Sequence, residues 1–222
     1  MKKAIVLLSG GLDSATTLYD AQSKGYQVYA LIFDYNQRHK KEIQNAKKIV
    51  RQIGCPFHIL KIRFPWKGSA LLDKSLKLPA RQKITENKIP ITYVPARNII
   101  FLSYAASYAE TIGAETIFIG ANVRDYSGYP DCRPEFFKAF EQALKKGNKT
   151  GVKGKPIRIQ TPLVYLTKAQ IIQLGLKLKV PYRLTWSCYE GKKRPCGVCE
   201  SCRLRQKGFE ELGIVDPAFK EV

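Results

Sequence analysis

The feature that most restricts the fold of this chain is its opening. Residues 3–8 form an uninterrupted β-favouring apolar run, which breaks at Ser9-Gly10-Gly11 and passes straight into a helical pattern through Leu18 and Ala21 to Gly25. Strand, glycine turn and helix then recur. Gln27 to Phe33 reads as a second strand, and Arg38 to Ile53 as an amphipathic helix with Ile43, Ala46, Ile49, Val50 and Ile53 on one face, closed by Gly54. A third strand is expected from Phe57 to Ile62, a long helix over 96–112 ending at Gly113, and a strand from Glu115 to Ile119. A helix with a basic last turn over 133–146, a Gly/Lys loop over 147–155, a strand over 157–160 and a helix over 168–178 complete the pattern. Buried strands alternating with helices predict an α/β fold, a doubly wound parallel sheet covered on both faces.

Residues 64–95 interrupt the rhythm with Pro65, Gly68, Pro79 and Pro90 before Pro95, and a connection of that length is expected to be a mobile lid. A chain of 222 residues supports one well-buried core with a small appendage, so the expected division is an α/β body over 1–185 and a C-terminal segment over 186–222 packed on it. No apolar run approaches the roughly 20 residues that span a bilayer, and the N-terminus lacks a signal-peptide cleavage pattern. No membrane association is expected.

Cys188, Cys196, Cys199 and Cys202 are spaced C-x7-C-x2-C-x2-C, while Cys55 and Cys132 stand apart. Four soft thiolates at that spacing suit a tetrahedral Zn²⁺ with no open coordination position, a structural site of about one zinc per chain. Lys192, Lys193, Arg194, Arg203 and Arg205 surround it and offset its negative charge. Cysteines used this way point to a reducing cytoplasm. The formal charge of +20 admits a nucleic-acid partner, but the lysines are scattered without interleaved aromatics, which favours a solvated basic surface.

The first loop carries the chemistry. Leu8, Ser9, Gly10, Gly11, Leu12, Asp13, Ser14 and Ala15 place a glycine turn and two hydroxyls at a helix N-terminus, an arrangement that binds the phosphates of Mg-ATP. Asp13 either caps the helix or orients Mg²⁺, and with Ser14 it is the catalytic candidate. The loop lacks the lysine of a Walker A motif and is not G-x-G-x-x-G. The S-G-G-x-D-S pattern resembles the PP-loop of the N-type ATP pyrophosphatases, whose adenine-nucleotide α-hydrolase-like fold fits the doubly wound sheet expected here.

Further segments narrow the resemblance. Asp34-Tyr35-Asn36-Gln37-Arg38-His39, Val94-Pro95-Ala96-Arg97-Asn98, the stretch from Asp125 to Phe136 and the cysteine cluster together resemble the QueC family. Asn36 and Ala96 stand where that family often has glycine. The resemblance implies ATP-dependent conversion of 7-carboxy-7-deazaguanine and ammonia to the 7-cyano compound, through an adenylated acid and an adenylated amide, with AMP and pyrophosphate released. It implies a substrate site in which Arg97 or Arg133 meets the carboxylate and Tyr126 or Tyr129 stacks on the ring. Asp125, Asp131 and Glu135 are the acidic candidates for its amidine-like edge, with Asn98 beside them. His58 reads as a core imidazole, whereas His39 follows a strand end and is a modest candidate for contact with ligand.

Two other readings are weighed. A PP-loop tRNA thiolase or lysidine synthetase would use the positive charge to hold RNA, yet the short cysteine-bearing tail leaves little room for an RNA-binding domain. A zinc-ribbon nucleic-acid module would have no catalysis at all. A homodimer stays open on sequence alone.

Overall fold

The computed structural model describes residues 1–79, 89–124 and 128–219. Five strands, β1 (Lys3–Leu7), β2 (Gln27–Asp34), β3 (Phe57–Lys61), β4 (Thr116–Ile119) and β5 (Arg158–Gln160), form one sheet in the order β3-β2-β1-β4-β5. All four pairings are parallel. The helices are α1 (Leu12–Ser23), α2 (Lys41–Gln52), α3 (Arg97–Ile112), α4 (Pro134–Gly147), α5 (Lys149–Val152), α6 (Lys168–Lys177) and α7 (Glu200–Glu210).

The central strand shows why the sheet must be covered twice. Ala4, Val6 and Leu8 face a core built with Leu18 of α1, Ile49 of α2, Ile171 of α6 and Phe209 of α7. Ile5 and Leu7 point the other way, into a core shared with Leu102 of α3, Phe137 of α4 and Cys199 and Cys202. From β1 the chain winds outward to β2 and β3, then α3 carries it back across to β4 on the other side of β1. The winding reverses between β1 and β4, and in such sheets that reversal opens a crevice at the carboxyl ends of the strands.

Most expected elements lie within a residue or two of their expected limits. The second helix begins at Lys41 and not at Arg38. The Arg38 guanidinium is held at 2.9 Å by the Leu76 carbonyl, and its backbone N–H donates to Leu71 O, so residues 38–40 stay in the loop. The Gly/Lys loop contains the short helix α5. His58 is not a core imidazole. It sits exposed on β3, an edge strand with a single neighbour, and packs edge-on against the Tyr108 ring. The described ends of the 64–95 segment are anchored, with Ser69, Ala70, Thr92 and Val94 buried and Ala70 N–H bonded to Ile91 O.

Residues 186–219 fold onto the sheet domain through Arg205, which is buried although it lies in a basic run. Its Nε and Nη2 donate to the two oxygens of Asp216 at 2.7 and 2.9 Å, and Nη1 donates to Thr185 Oγ1 at 2.7 Å. Nη2 also reaches Tyr182 O at 3.0 Å. This guanidinium is committed to holding the tail, beyond any offset of thiolate charge. Asp216→Ala removes the countercharge and leaves Arg205 buried without it, so a loss of about 3–5 kcal/mol in denaturant unfolding is expected. A loss below 1 kcal/mol would mean the pair contributes no more than a surface one.

Candidate active site

A cavity of about 240 Å³ opens at the crevice between β1 and β4. One end of it is formed by the loop after β1. Ser14 ties this loop shut: its Oγ accepts from the N–H groups of Ser9 and Gly10, both at 3.2 Å, and donates to Gly11 O. The first-turn N–H groups of α1 at Leu12, Asp13 and Ser14 have no acceptor within the helix and border the cavity, so they are the donors available to an anion.

Gly10 is required for a different reason than close approach to ligand. Its φ of +91° is left-handed, and a Cβ there would lie 2.1 Å from Glu42 O and 2.8 Å from Ala46 N. The loop is wedged against the backbone of α2. Leu8 lines the cavity, whereas Ala15 is fully buried beneath it.

Asp13 does not cap α1, whose N-cap is Gly11 with no side-chain bond. Both of its oxygens instead accept from Lys168 Nζ, at 2.7 and 2.9 Å. Lys168 is the first residue of α6, whose start is fixed by a capping box between Thr167 and Gln170. The ion pair puts a cation and a carboxylate side by side at the loop mouth. No motif in the sequence marks Lys168; only the convergence of α1 and α6 brings it here.

The opposite end of the cavity is aromatic. Phe33 and Phe101 stack in parallel with centroids 3.9 Å apart, and Tyr35 meets Phe101 edge-on. Arg97 lines this end and donates to Tyr35 Oη at 3.5 Å. Burial opposes its charge, but Tyr35, Tyr129, Cys132 and Asp131 more than compensate and hold it firmly protonated. Tyr129 is buried and shares a 2.7 Å hydrogen bond with Thr92 from the far end of the 64–95 segment. Burial also pushes the Cys132 thiol up to about 12, so it lines the site as an inert group.

The other expected substrate residues divide. Asn98 lines the cavity, and Asp131 lies just behind it. Asp131 Oδ2 accepts from Asn98 N at 3.0 Å, and Asn98 Nδ2 donates back to Asp131 O at 2.9 Å. Asp131 therefore serves as the missing cap of α3, whose own N-cap, Ala96, is left-handed at φ 56° and offers no side-chain acceptor. Asn36 shares that conformation at φ 61°. Arg133 and Glu135 are exposed and do not line the cavity. Asp125 and Tyr126 lie outside the described residues.

A third wall was not foreseen as one. Trp186, Ser187, Tyr189 and Arg205 reach the cavity from the C-terminal segment, and Trp186 N–H donates to Gly10 O at 2.9 Å. Beside them His39 and Glu42 face each other at 3.2 Å. Burial lowers the affinity of His39 for protons, but the Glu42 carboxylate outweighs it and the net shift is upward. Cys188, Cys196, Cys199 and Cys202 bring their four sulfurs within 4.8 Å of one another, a set that could hold a metal ion. Backbone N–H groups of Glu190 and Cys196 point at Cys188 Sγ at 3.4 and 3.3 Å, as thiolate ligands require. No cavity-lining position is among the four, and no histidine or carboxylate joins them among the described residues.

The family model for queuosine biosynthesis protein QueC matches residues 3–213. The chain is 54% identical over 217 residues to a 7-cyano-7-deazaguanine synthase of Thermoplasma volcanium, covering 97% of this chain and 90% of that protein. It is 55% identical to one of Acetivibrio thermocellus, covering 97% and 96%. Among solved structures, that of a predicted subunit of tRNA methyltransferase from Methanocaldococcus jannaschii superposes with a TM-score of 0.52 at 14% identity, covering 100% of this chain and 93% of that one. At that identity the likeness concerns the fold alone.

Proposed function

The chain belongs to the QueC family, and we infer that it is the ATP-dependent enzyme that converts 7-carboxy-7-deazaguanine and ammonia to 7-cyano-7-deazaguanine. One observation about this molecule carries the reading: a single cavity joins an anion-binding helix terminus to an aromatic chamber containing a half-buried arginine. That is the pairing needed to set a planar acid against the α-phosphorus of ATP. The readings as a tRNA-modifying enzyme or a zinc-ribbon module are not favoured, since the relatives matched over nearly the whole chain carry the synthase name.

In this reading the first turn of α1 and Lys168 hold the pyrophosphate leaving group of Mg-ATP, and Asp13 fixes the lysine. The substrate ring lies among Phe33, Tyr35, Phe101 and Tyr129, with its carboxylate near Arg97. The carboxylate attacks the α-phosphorus, pyrophosphate leaves, and ammonia displaces AMP from the acyl carbon to give the amide. A second ATP activates the amide oxygen, and loss of AMP yields the nitrile. Leu71, from the described part of the 64–95 segment, lines the cavity and helps keep water from the adenylate.

The four cysteines would hold zinc, which when bound supplies structure and no reacting ligand. The body over 1–185 and the segment over 186–222 are then a nucleotide domain and its metal-pinned wall. No helix among the described residues is long and apolar enough to cross a membrane, and we read the enzyme as cytoplasmic with small molecules as its partners. The +20 charge is assigned to steering anionic substrates, and a homodimer is compatible with the site.

Mass spectrometry after incubation with the acid, ammonium and Mg-ATP should find the nitrile, AMP and pyrophosphate. A different product from these three substrates would reject the reading. Arg97→Ala should raise the KM for the acid about 10- to 100-fold while that for ATP changes little, as expected for one charged hydrogen-bonding partner of about 1.5–3 kcal/mol. Equal effects on both substrates would place Arg97 on the nucleotide.

A further inference from the structure

Every nitrogen step of this reaction sheds protons. Ammonium loses one to expose its lone pair; the nitrogen then bonds to the acyl carbon, the carbon–oxygen bond to the adenylate breaks, and AMP departs with that electron pair. A second proton leaves the nitrogen as the amide forms. In the nitrile-forming half the nitrogen gives up its remaining protons as the amide oxygen is adenylated and then expelled with AMP. A base facing the nitrogen therefore serves both halves.

Among the described residues the cavity is lined by two carboxylates, Asp13 and Glu42. Asp13 has both oxygens on Lys168. Asp131 stands behind the wall as the cap of α3. Glu42 is different. Its Oε1 accepts from Gln37 Nε2 at 3.3 Å and its Oε2 from His39 Nε2 at 3.2 Å, which leaves each oxygen a further lone pair. Gln37 is itself fixed: its Oε1 accepts from Tyr35 N at 2.9 Å and its Nε2 also donates to Phe33 O. The carboxylate is thus held in place by a buried scaffold and, among the described residues, has no lysine or arginine partner.

Its place along the cavity also fits. The backbone of Glu42 abuts Gly10, which sets the residue beside the phosphate loop, the end at which adenylates would form, and its side chain lines the cavity within electrostatic reach of Tyr35. An anionic acceptor here matches ammonium and the N–H groups of the amide. His39 cannot play that part itself. Its Nε2 is engaged with Glu42, and its Nδ1 is buried with no hydrogen-bond partner.

We propose that Glu42 is the catalytic base of the nitrogen steps, docking ammonium and accepting the protons its nitrogen releases, with His39 as the residue that positions it. The proposal rests on the reaction inferred above, and the two are separable by experiment. Exchange of labelled pyrophosphate into ATP, driven by the carboxylic acid without ammonium, reads adenylation alone. Glu42→Gln should keep that exchange within about threefold of the parent, while amide formation and amide-to-nitrile conversion fall by about 10²–10³-fold. Glu42→Asp should recover part of the amide formation, with its remaining deficit seen as a higher KM for ammonium. Equal loss of exchange and amide formation in Glu42→Gln would overturn the proposal, as would undiminished amide formation or a Glu42→Asp variant no better than Glu42→Gln. Absence of exchange and of nitrile in the parent protein would instead reject the reaction itself.

Discussion

Asp13→Asn and Ser14→Ala variants are expected to release AMP about 10²–10³-fold more slowly than the parent protein, with thermal transitions close to its own. The two act at different points of one device. Asp13 holds Lys168 Nζ through both oxygens, and an amide leaves that lysine one neutral acceptor where it had a charged pair. Ser14 Oγ gathers the Ser9 and Gly10 N–H groups and bonds Gly11 O, so an alanine there unties the loop. On the proposed reaction, leaving-group charge builds up at this loop during adenylation, and a misplaced donor would weaken the transition state more than the ground state. Neither side chain lies in the two apolar cores, which is why stability should hold. Measuring kcat for AMP release beside the midpoint of unfolding tests both halves of the claim. Near-parental turnover in both variants would remove the phosphate role from this loop.

Cys199→Ser should have the largest effect on folding. The four sulfurs cluster within 4.8 Å, and three of them, those of Cys188, Cys199 and Cys202, belong to residues packed in the same core as α3. A structural zinc contributes on the order of 10 kcal/mol to the ordering of such a segment, and a hydroxyl in place of one thiolate forfeits much of it. Metal content by mass spectrometry under native conditions should fall from about one zinc per chain, and the thermal midpoint should fall with it. Activity should be lost in step with folded protein, because the cavity wall formed by Trp186, Ser187 and Tyr189 loosens. A variant that lost zinc, stayed folded, bound ATP normally and failed only in the chemical step would show that the metal takes part in the reaction.

The sheet was legible because β1 and β4 are buried on both faces and so appear as unbroken apolar runs bounded by glycine. β3 misled at His58, because an edge strand can carry an apolar pattern on its covered side while a polar residue beside it is exposed. The strand–loop–helix turn after β1 and the clustering of the four cysteines were readable for a similar reason: each is local, contained in a few consecutive turns. The rest of the site is not local. Lys168 reaches Asp13 across 155 positions and Asp131 caps α3 from 33 positions away, distances at which sequence spacing carries no geometric information. Glu42 looked like one polar residue at the start of an amphipathic helix. Arg205 looked like one more base in a basic run. Only packing separates the buried members of such sets from the solvated ones.

The tail and the phosphate loop share their bonds. Arg205 of α7 grips Tyr182 and Thr185, Tyr182 Oη meets Thr16 of α1 at 2.9 Å, and Trp186 N–H closes on Gly10 O. Two ligands that each favour the same arrangement of such a network must favour one another, and thermodynamic reciprocity makes the factor equal in both directions. If ATP stiffens the loop around Gly10, a metal held by the cysteines binds more tightly when ATP is present; if the metal is stripped, ATP binds more weakly by the same ratio. The chelator concentration that strips half of the metal at equilibrium therefore becomes a gauge of nucleotide occupancy that needs no turnover to be read.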